Sequence, residues 1–316
     1  MVGGEAASVM FGYESVFKTA VTANKAFGWN QRITTATGSN NIKRIYDIGN
    51  RNAQKLLEGA FSGALNIEFD LGAPWFLRGV LGTFTVAGSG PYTYTFTEIA
   101  GNAPSMTVEA GVDLSTDAVI KYLGCFINQC TINAAAAGDP VHVSLSMLYA
   151  NESKGTASFQ AQTSDLDSPF SFAYASLEMP NGTTIADVQS LDISIQNNAA
   201  LRHAIGSRFA AGYTMRERSY DINVTNYFDD ASTYLETMYG SATGPMALLT
   251  ETADLEFVLD NGMGTTARRA YNFLFTGIKI DSHDLPRSID SDLYERVPII
   301  GRKLSVTAVD NTSAMP

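Results

Sequence analysis

Charged residues are scarce in this chain of 316 residues. Aspartate, glutamate, lysine and arginine make up 17% of it, against roughly 25% in an ordinary soluble domain, while there are 26 serines and 29 threonines. Hydroxyl groups must therefore carry much of the surface polarity. Since 45% of the residues are apolar, the chain has enough material for a core, and disorder is excluded as its main state.

Basic residues are the scarcer of the two charge types. The 21 lysines and arginines against 32 acids give a net charge of -11 and an isoelectric point near 4.7. A protein that grips nucleic acid through phosphate contacts is therefore not expected. The acidity is uneven, because residues 1–150 carry 11 acids and 9 bases, whereas residues 151–316 carry 21 acids and 12 bases.

Long hydrophobic runs are missing as well. The first residues, Met1–Glu5, contain neither a basic stretch nor an apolar one, so no signal peptide is indicated and assembly in the host cell's cytoplasm is expected. The longest uncharged stretch, Gly79–Thr97, is interrupted by glycines, a proline and many threonines. It predicts strands and turns, and no membrane partner is expected.

Cysteine and histidine are too few for a metal or disulfide framework. The two cysteines, Cys125 and Cys130, are five residues apart, and this odd spacing along a strand predicts side chains on opposite faces and no disulfide between them. The histidines, His142, His203 and His283, lie in no metal-binding spacing. We predict no metal and no cofactor.

Catalytic motifs are also absent. There is no Gly-x-Ser-x-Gly and no phosphate-binding glycine loop, and paired acids such as Asp165 with Asp167, or Asp229 with Asp230, fall in predicted loops. We assign no catalytic residue and expect no enzyme. A carbohydrate-binding or hydrolytic β-sandwich, in which two carboxylates face each other across a cleft, stays open as an alternative.

Alternation of apolar and polar residues dominates what is present. It predicts half-buried antiparallel strands at Leu65–Leu71, Val141–Met147, Leu191–Gln196 and Asp221–Thr225. Turn residues between two further alternating runs predict a long hairpin over Thr83–Thr97. Short helices are predicted after Pro74, ending at Gly82, and over Thr233–Tyr239, ending at Gly240. The chain is therefore expected to be mainly β.

The two halves of the sequence repeat each other at a spacing of 157 residues. The Leu65–Ile67 strand recurs as Ile222–Val224, the first helix recurs 158 residues later, and His142–Leu145 resembles Lys303–Val306. The ordered set predicts an internal duplication, with one domain over residues 1–157 and a second, more acidic one over residues 158–316. The residues that mark the repeat turns are Asn40, Asn41, Gly49 and Arg51 in the first half, and Asn197, Asn198, Gly206 and Arg208 in the second.

Four stretches carry a family resemblance: Gly90–Phe96, Pro104–Glu109, Gly124–Ile132 and Gly138–Leu145. Taken in this order, they resemble the tail tube proteins, also called major tail proteins, of long-tailed viruses of bacteria and archaea. The likeness runs from Asn40 to Met147, and only the internal repeat extends it to the second half.

This resemblance implies two tandem tail-tube-like β-sandwich or barrel domains, each with a short flanking helix. It further implies a structural virion protein whose rings stack into the hollow tail tube through which DNA passes during ejection. The expected partners are further copies of the chain in homotrimeric, pseudo-hexameric rings, and other tail proteins such as the tape measure and terminator proteins. Another self-assembling β shell, of a surface layer or a capsid decoration, stays open as an alternative.

The Thr83–Thr97 hairpin is the predicted inter-subunit or inter-ring contact. Its apolar side chains are expected to be buried against a neighbouring subunit, since flexible glycines flank the hairpin. The residues assigned to this contact are Phe84, Val86, Tyr92, Tyr94 and Phe96.

Overall fold

The computed structural model describes most of the chain, in eleven ranges. They are residues 7–112, 118–136, 138–155, 169–180, 182–185, 187–227, 238–241, 243–247, 253–262, 268–282 and 294–310. Strands dominate these ranges, and fifteen of them form one continuous antiparallel sheet, which confirms the mainly β prediction.

The described residues of the first half form eleven strands and one short helix. They are β1 (Ala7–Tyr13), β2 (Trp29–Ser39), β3 (Lys43–Ile45), β4 (Lys55–Leu57), β5 (Ser62–Asp70), α1 (Leu77–Leu81), β6 (Gly82–Ala87), β7 (Tyr92–Glu98), β8 (Met106–Val112), β9 (Ala118–Ala135), β10 (His142–Tyr149) and β11 (Asn151–Gly155).

The second half contains eight described strands. They are β12 (Ala175–Glu178), β13 (Val188–Gln196), β14 (Ala200–Arg202), β15 (Gly212–Thr214), β16 (Ser219–Tyr227), β17 (Ala253–Asp260), β18 (Ala270–Ile280) and β19 (Tyr294–Asp310). Most of the helix predicted over Thr233–Tyr239 lies outside the described residues, and Met238 and Tyr239 are helical.

The two halves have the same strand order. Neighbouring strands run β1-β8-β9-β10-β5-β2 in the first half and β12-β17-β18-β19-β16-β13 in the second. The small hairpins β3–β4 and β14–β15 lie beside the sheet and begin and end 157 residues apart. Strands β5 and β16 have this spacing too.

Strand register corrects one assignment within the repeat. His142 pairs with Asp70 and Tyr149 with Gly63, while Tyr294 pairs with Tyr227 and Gly301 with Tyr220. The counterpart of β10 is therefore Tyr294–Gly301, and the predicted match of His142–Leu145 with Lys303–Val306 was wrong. Lys303–Thr307 corresponds to β11 instead, since Asn151–Gly155 pairs with β9 beyond β10, and Lys303–Thr307 pairs with β18 in the same way.

A bulge in β9 corrects the cysteine prediction. Gln129 pairs with Ser146 and Ile127 with Met147, so Asn128 is an extra residue on β9 and the alternation shifts by one. Cys125 and Cys130 therefore both have buried side chains, instead of facing opposite sides as predicted. Burial raises the pKa of both thiols, which keeps them in the protonated form.

The core lies between the main sheet and the strands that fold over it, with α1 at its centre. In the first half, Phe11, Phe27, Phe69 and Phe76 form a chain of ring contacts with centroids 4.4 to 5.7 Å apart. Trp75, directly before α1, packs edge-on against Tyr94 of β7. The core continues into the second half without a break. No described helix is long and apolar enough to cross a membrane.

Candidate functional site

One face of the main sheet is polar from the first half into the second. Along β5, β10, β13, β16 and the Gln129–Ala135 part of β9, side chains that point to the core alternate with residues that are half-buried or exposed. The register aligns the latter in rows across the strands. We call this set the polar face: Asn66, Glu68, Asp70, Gln129, Thr131, Asn133, His142, Ser144, Ser146, Ser190, Asp192, Ser194, Gln196, Asp221, Asn223 and Thr225.

Amides, hydroxyls and a few carboxylates make up the polar face. It contains four carboxylates and no lysine or arginine. Neighbouring side chains satisfy one another, since the Gln129 amide donates to Ser194 Oγ at 3.2 Å and Asn133 donates to Asp192. Arg32 on β2 pairs with Glu68 at 2.6 Å at its border. The face is thus neutral to acidic, and some of its hydrogen-bonding groups are paired across strands.

The junction between the halves is a strand pair backed by a buried asparagine. Strand β13 pairs with β9 from Ser190 opposite Ala135 to Gln196 opposite Gln129. Asn197, which follows β13 and is buried, donates its side-chain amide to the carbonyls of Val80 (3.2 Å) and Ile127 (3.1 Å). Its own oxygen accepts from Arg218 Nε at 2.7 Å.

A second strand pair strengthens this junction. Strand β7 of the first half pairs with the C-terminal part of β19 in the second half. The Glu98 carboxylate at the end of β7 accepts from the Tyr220 hydroxyl (2.6 Å) and from the backbone N–H of Leu304 (2.8 Å). Burial and this hydrogen bond raise the pKa of Tyr220, so the hydroxyl remains a donor.

The β14–β15 hairpin of the second half is seated on the first half. Tyr213 stacks on Phe126 with centroids 4.6 Å apart and donates its hydroxyl to Ala103. Arg208 forms a salt bridge with Glu58 at 3.0 Å and donates to Asn40. The Phe209 ring contacts Phe61.

The repeat-marker residues form the same local structure in both halves. Asn41 and Asn198 have backbone φ angles of 45° and 46°, and each donates its side-chain amide to the carbonyl found 19 residues later, at 2.6 and 2.8 Å. Gly49 and Gly206, at the hairpin tips, have φ angles of 87° and 95°. Arg51 is exposed and has no ion-pair partner in the described ranges, whereas its counterpart Arg208 has one.

The predicted contact hairpin is present as β6 and β7, but much of it faces its own chain. Tyr94 and Phe96 are fully buried in the core, and burial raises the pKa of Tyr94 to about 12. Phe84 and Tyr92 are partly buried, and Val86 is 44% exposed. The prediction of an inter-subunit contact therefore applies to Val86, the turn Gly88–Pro91 and the outer edges of Phe84 and Tyr92.

The sequence did not indicate Glu98, Phe209 and Tyr213 as junction residues. A signal was nevertheless available: the repeat aligns Phe209 with Asn52 and Tyr213 with Leu56, so these two positions are aromatic in only one half. No three histidine, cysteine, aspartate or glutamate side chains in the described part of the chain converge in a metal-binding cluster.

Comparison with protein-family models identifies the family of the chain. The model of the phage tail tube protein family matches residues 4–291 in one continuous span, across both halves and the junction. The chain belongs to this family. No curated protein matches it. As a phage tail tube protein, it is a structural component of the virion tail, and the sequence-based resemblance is confirmed.

Proposed function

We propose that this tail tube protein assembles in the host cytoplasm into rings of three chains, and that the rings stack into the hollow tube through which DNA passes at ejection. Each chain would supply two similar wall units that arose by internal duplication. The tape measure and terminator proteins are the expected tail partners. The proposed role is structural, with no catalysis.

The difference between two equivalent sheet edges supports the ring. Strands β2 and β13 occupy the same place in the strand order of their halves, but β13 is paired with β9, whereas β2 is the last described strand of the sheet. An unpaired edge invites strand addition from another chain. If a second copy pairs with β2 as β9 pairs with β13, the contact is head-to-tail, and repeated head-to-tail contacts close a ring when the rotation divides the circle.

The number of chains follows from the number of units. Single-domain proteins of this class are expected to form sixfold rings, so chains with two units each would close the same circle with three copies. The ring would then have threefold symmetry and a pseudo-sixfold wall. The boundary near residue 157 falls in the stretch between β11 and β12.

The polar face supports the passage of DNA if it lines the channel. Duplex DNA carries one negative charge per about 1.7 Å, so lysines and arginines on the wall would hold it, while carboxylates, amides and hydroxyls would let it slide. The polar face has this composition, and it is continuous across the junction. The outer part of the β6–β7 hairpin, around Val86, would remain for contacts with neighbouring subunits or rings.

Electron microscopy of the concentrated protein tests the proposal. We expect filaments with a regular ring spacing, and class averages of end views with threefold symmetry and six wall units. Sheets or closed shells would favour the surface-layer or capsid-decoration alternative instead. Rings of six chains with one wall unit each would contradict the two-unit proposal.

A further inference from the structure

The β3–β4 hairpin of the first half presents an unusual apolar surface to solvent. Ile48 at its tip is fully exposed, and Leu56 is 65% exposed. Exposed large apolar residues that cluster in one element mark an interaction site. We call the surface formed by Ile42, Ile45, Tyr46, Ile48, Leu56 and Leu57 the apolar hairpin.

The counterpart of the apolar hairpin is seated within the chain. The β14–β15 hairpin lies on the first half through Tyr213 and Arg208, as described above. Directly before it, Asn197 donates its backbone N–H to the Asn128 carbonyl, and Ala199 donates to Asn128 Oδ1, both at 2.8 Å. These contacts define where such a hairpin sits relative to β9.

The second half has a described position equivalent to Asn128. Gly124 and Gly277, with φ angles of 63° and 71°, each lie in a bulge, the first in β9 and the second in β18. When the two bulges are aligned, the residues of β9 and β18 correspond at a spacing of 153 residues. The counterpart of Asn128 is then Asp281, which is exposed directly after β18. The counterpart of Ile127 is Ile280.

The two elements that would meet differ in net charge. Residues 42–57 contain Lys43, Arg44, Arg51 and Lys55 against one acid, Asp47, so the apolar hairpin is a basic element. It would lie on the acidic half of another chain. At the equivalent position itself, an aspartate, Asp281, replaces the neutral Asn128.

We propose that Asn40 and the apolar hairpin dock onto the second half of a second copy of this chain, with Asn40 opposite Asp281 as Asn197 lies opposite Asn128. The inference rests on the proposed ring, since it specifies the contact by which one chain follows the next. The tip residue is not needed for it, because Ile205 remains fully exposed in the seated counterpart.

Mixed single-cysteine variants test the pairing. Asn40→Cys and Asp281→Cys place one thiol on each side of the contact, and directly opposed strand residues have Cα atoms about 5 Å apart, within disulfide range. Both positions are exposed in the single chain, and the native thiols are buried. We expect a disulfide-linked dimer when the two variants are mixed and oxidised, and none from either variant alone.

A matched control replaces Asp281→Cys with Lys279→Cys. Lys279 is also exposed, but it is two residues along the strand, which moves the Cα atom by about 6.6 Å and out of disulfide range. Equal cross-linking with both partners would overturn the register. A second variant, Leu56→Asp, should abolish assembly without changing the melting temperature of the monomer, whereas Ile205→Asp at the tip of the seated hairpin should leave ring closure intact.

Micrographs of the same mixtures separate this inference from the proposed function. Tubes without the disulfide would overturn the contact while the tube function stands. The disulfide without tubes would support the contact and contradict the tube. Neither tubes nor disulfide would overturn both.

Discussion

Asn40 and Asn197 occupy the same position in equivalent turns of the two halves, yet Asn40 is exposed and Asn197 is buried. Each precedes an asparagine with a left-handed backbone conformation and follows the corresponding strand. Asn197 is buried because the first half lies against it. The local sequence thus sets the backbone conformation of the turn. Whether the first asparagine of the turn is buried depends on whether another strand lies against it.

The same contrast holds along the whole edge. Ile193 of β13 is fully buried, and its counterpart Ala36 of β2 is exposed. In the seated hairpin, Tyr213 packs on Phe126, while Leu56 in the same position of the other hairpin is mostly exposed. The first half therefore leaves exposed an edge whose counterpart in the second half is covered, and substitutions at matched positions measure what this cover contributes.

The largest difference is expected at Ile193 and Ala36. Ile193→Ala removes a buried side chain at the junction and should lower the free energy of unfolding by about 2 to 5 kcal/mol. Ala36→Ser, on the exposed edge, should change it by less than about 0.5 kcal/mol. Denaturant unfolding of the monomer measures both. Equal effects would mean that the two edges do not differ as described.

Asn197→Ala should cost less, about 1 to 3 kcal/mol. The substitution removes the side chain that bonds to the Val80 carbonyl, the Ile127 carbonyl and the Arg218 guanidinium. All three groups then lose this hydrogen bond in a buried environment. Asn40→Ala is the matched control and should have little effect on the monomer, because water replaces the lost hydrogen bond. A large loss at Asn40 in the monomer would show that its hydrogen bond with Arg208 of the same chain holds the fold, and would contradict the proposal that Asn40 is left for contact with another chain.

Sequence predicted the strands because they depend on local pattern. Alternation located the strands of the polar face, and the asparagine and glycine pairs located turns of the same conformation in both halves. The bulge at Asn128 was not predictable, since one extra residue in a strand leaves no mark in the apolar pattern until its partner is known. Because of this bulge, the side chains of Cys125 and Cys130 are both buried and do not face opposite sides of the strand.

The candidate site was less predictable than the fold. Asn40 and Asn197 look alike in the sequence, so their different burial follows only from which strand pairs with which. The hairpin aromatics show the same limit: Tyr94 and Phe96 were expected at a contact with another subunit, and a strand from the distant end of the chain, β19, pairs with the strand that carries them. Long-range pairing of this kind is not encoded in a local pattern.

The two bulge glycines allow a third comparison, with effects of about 1 to 2 kcal/mol. Gly124→Ala and Gly277→Ala both place a side chain on a left-handed backbone, which costs a similar amount in each half. A Cβ on Gly124 would also lie 2.7 Å from the packed Phe17 ring, whereas on Gly277 it would lie 2.9 Å from the end of the flexible Arg302 side chain. Gly124→Ala should therefore be the more destabilising in thermal unfolding. A greater loss at Gly277 would show that Arg302 is held as firmly as Phe17.

The smallest difference is expected at Glu295, and it depends on pH. Glu295 and its cross-strand neighbour Asn226 occupy the positions that Val143 and Phe69 occupy in the first half, so a polar pair replaces an apolar one at the end of the core. Glu295 is fully buried, and no described residue donates a hydrogen bond to its carboxylate. Burial therefore raises its pKa above the ordinary value of 4.5.

The sign of the pH dependence follows from that shift. A carboxyl whose pKa is raised by folding destabilises the protein once it must ionise, so the penalty is absent well below pH 4.5, grows as the pH rises from there to the folded-state pKa, and is constant above it. Glu295→Gln removes the ionisable group and should raise the melting temperature at pH 8 but not at pH 4, while Glu217→Gln, at an exposed position, should show no such trend. The gain is small because the wild-type carboxyl relieves part of the penalty by staying protonated. If Glu295→Gln instead lowers the melting temperature at pH 8, then the carboxylate has a cationic or hydrogen-bond-donating partner in the folded protein. In that case a polar interaction stabilises this end of the core in the second half, whereas apolar packing stabilises it in the first half.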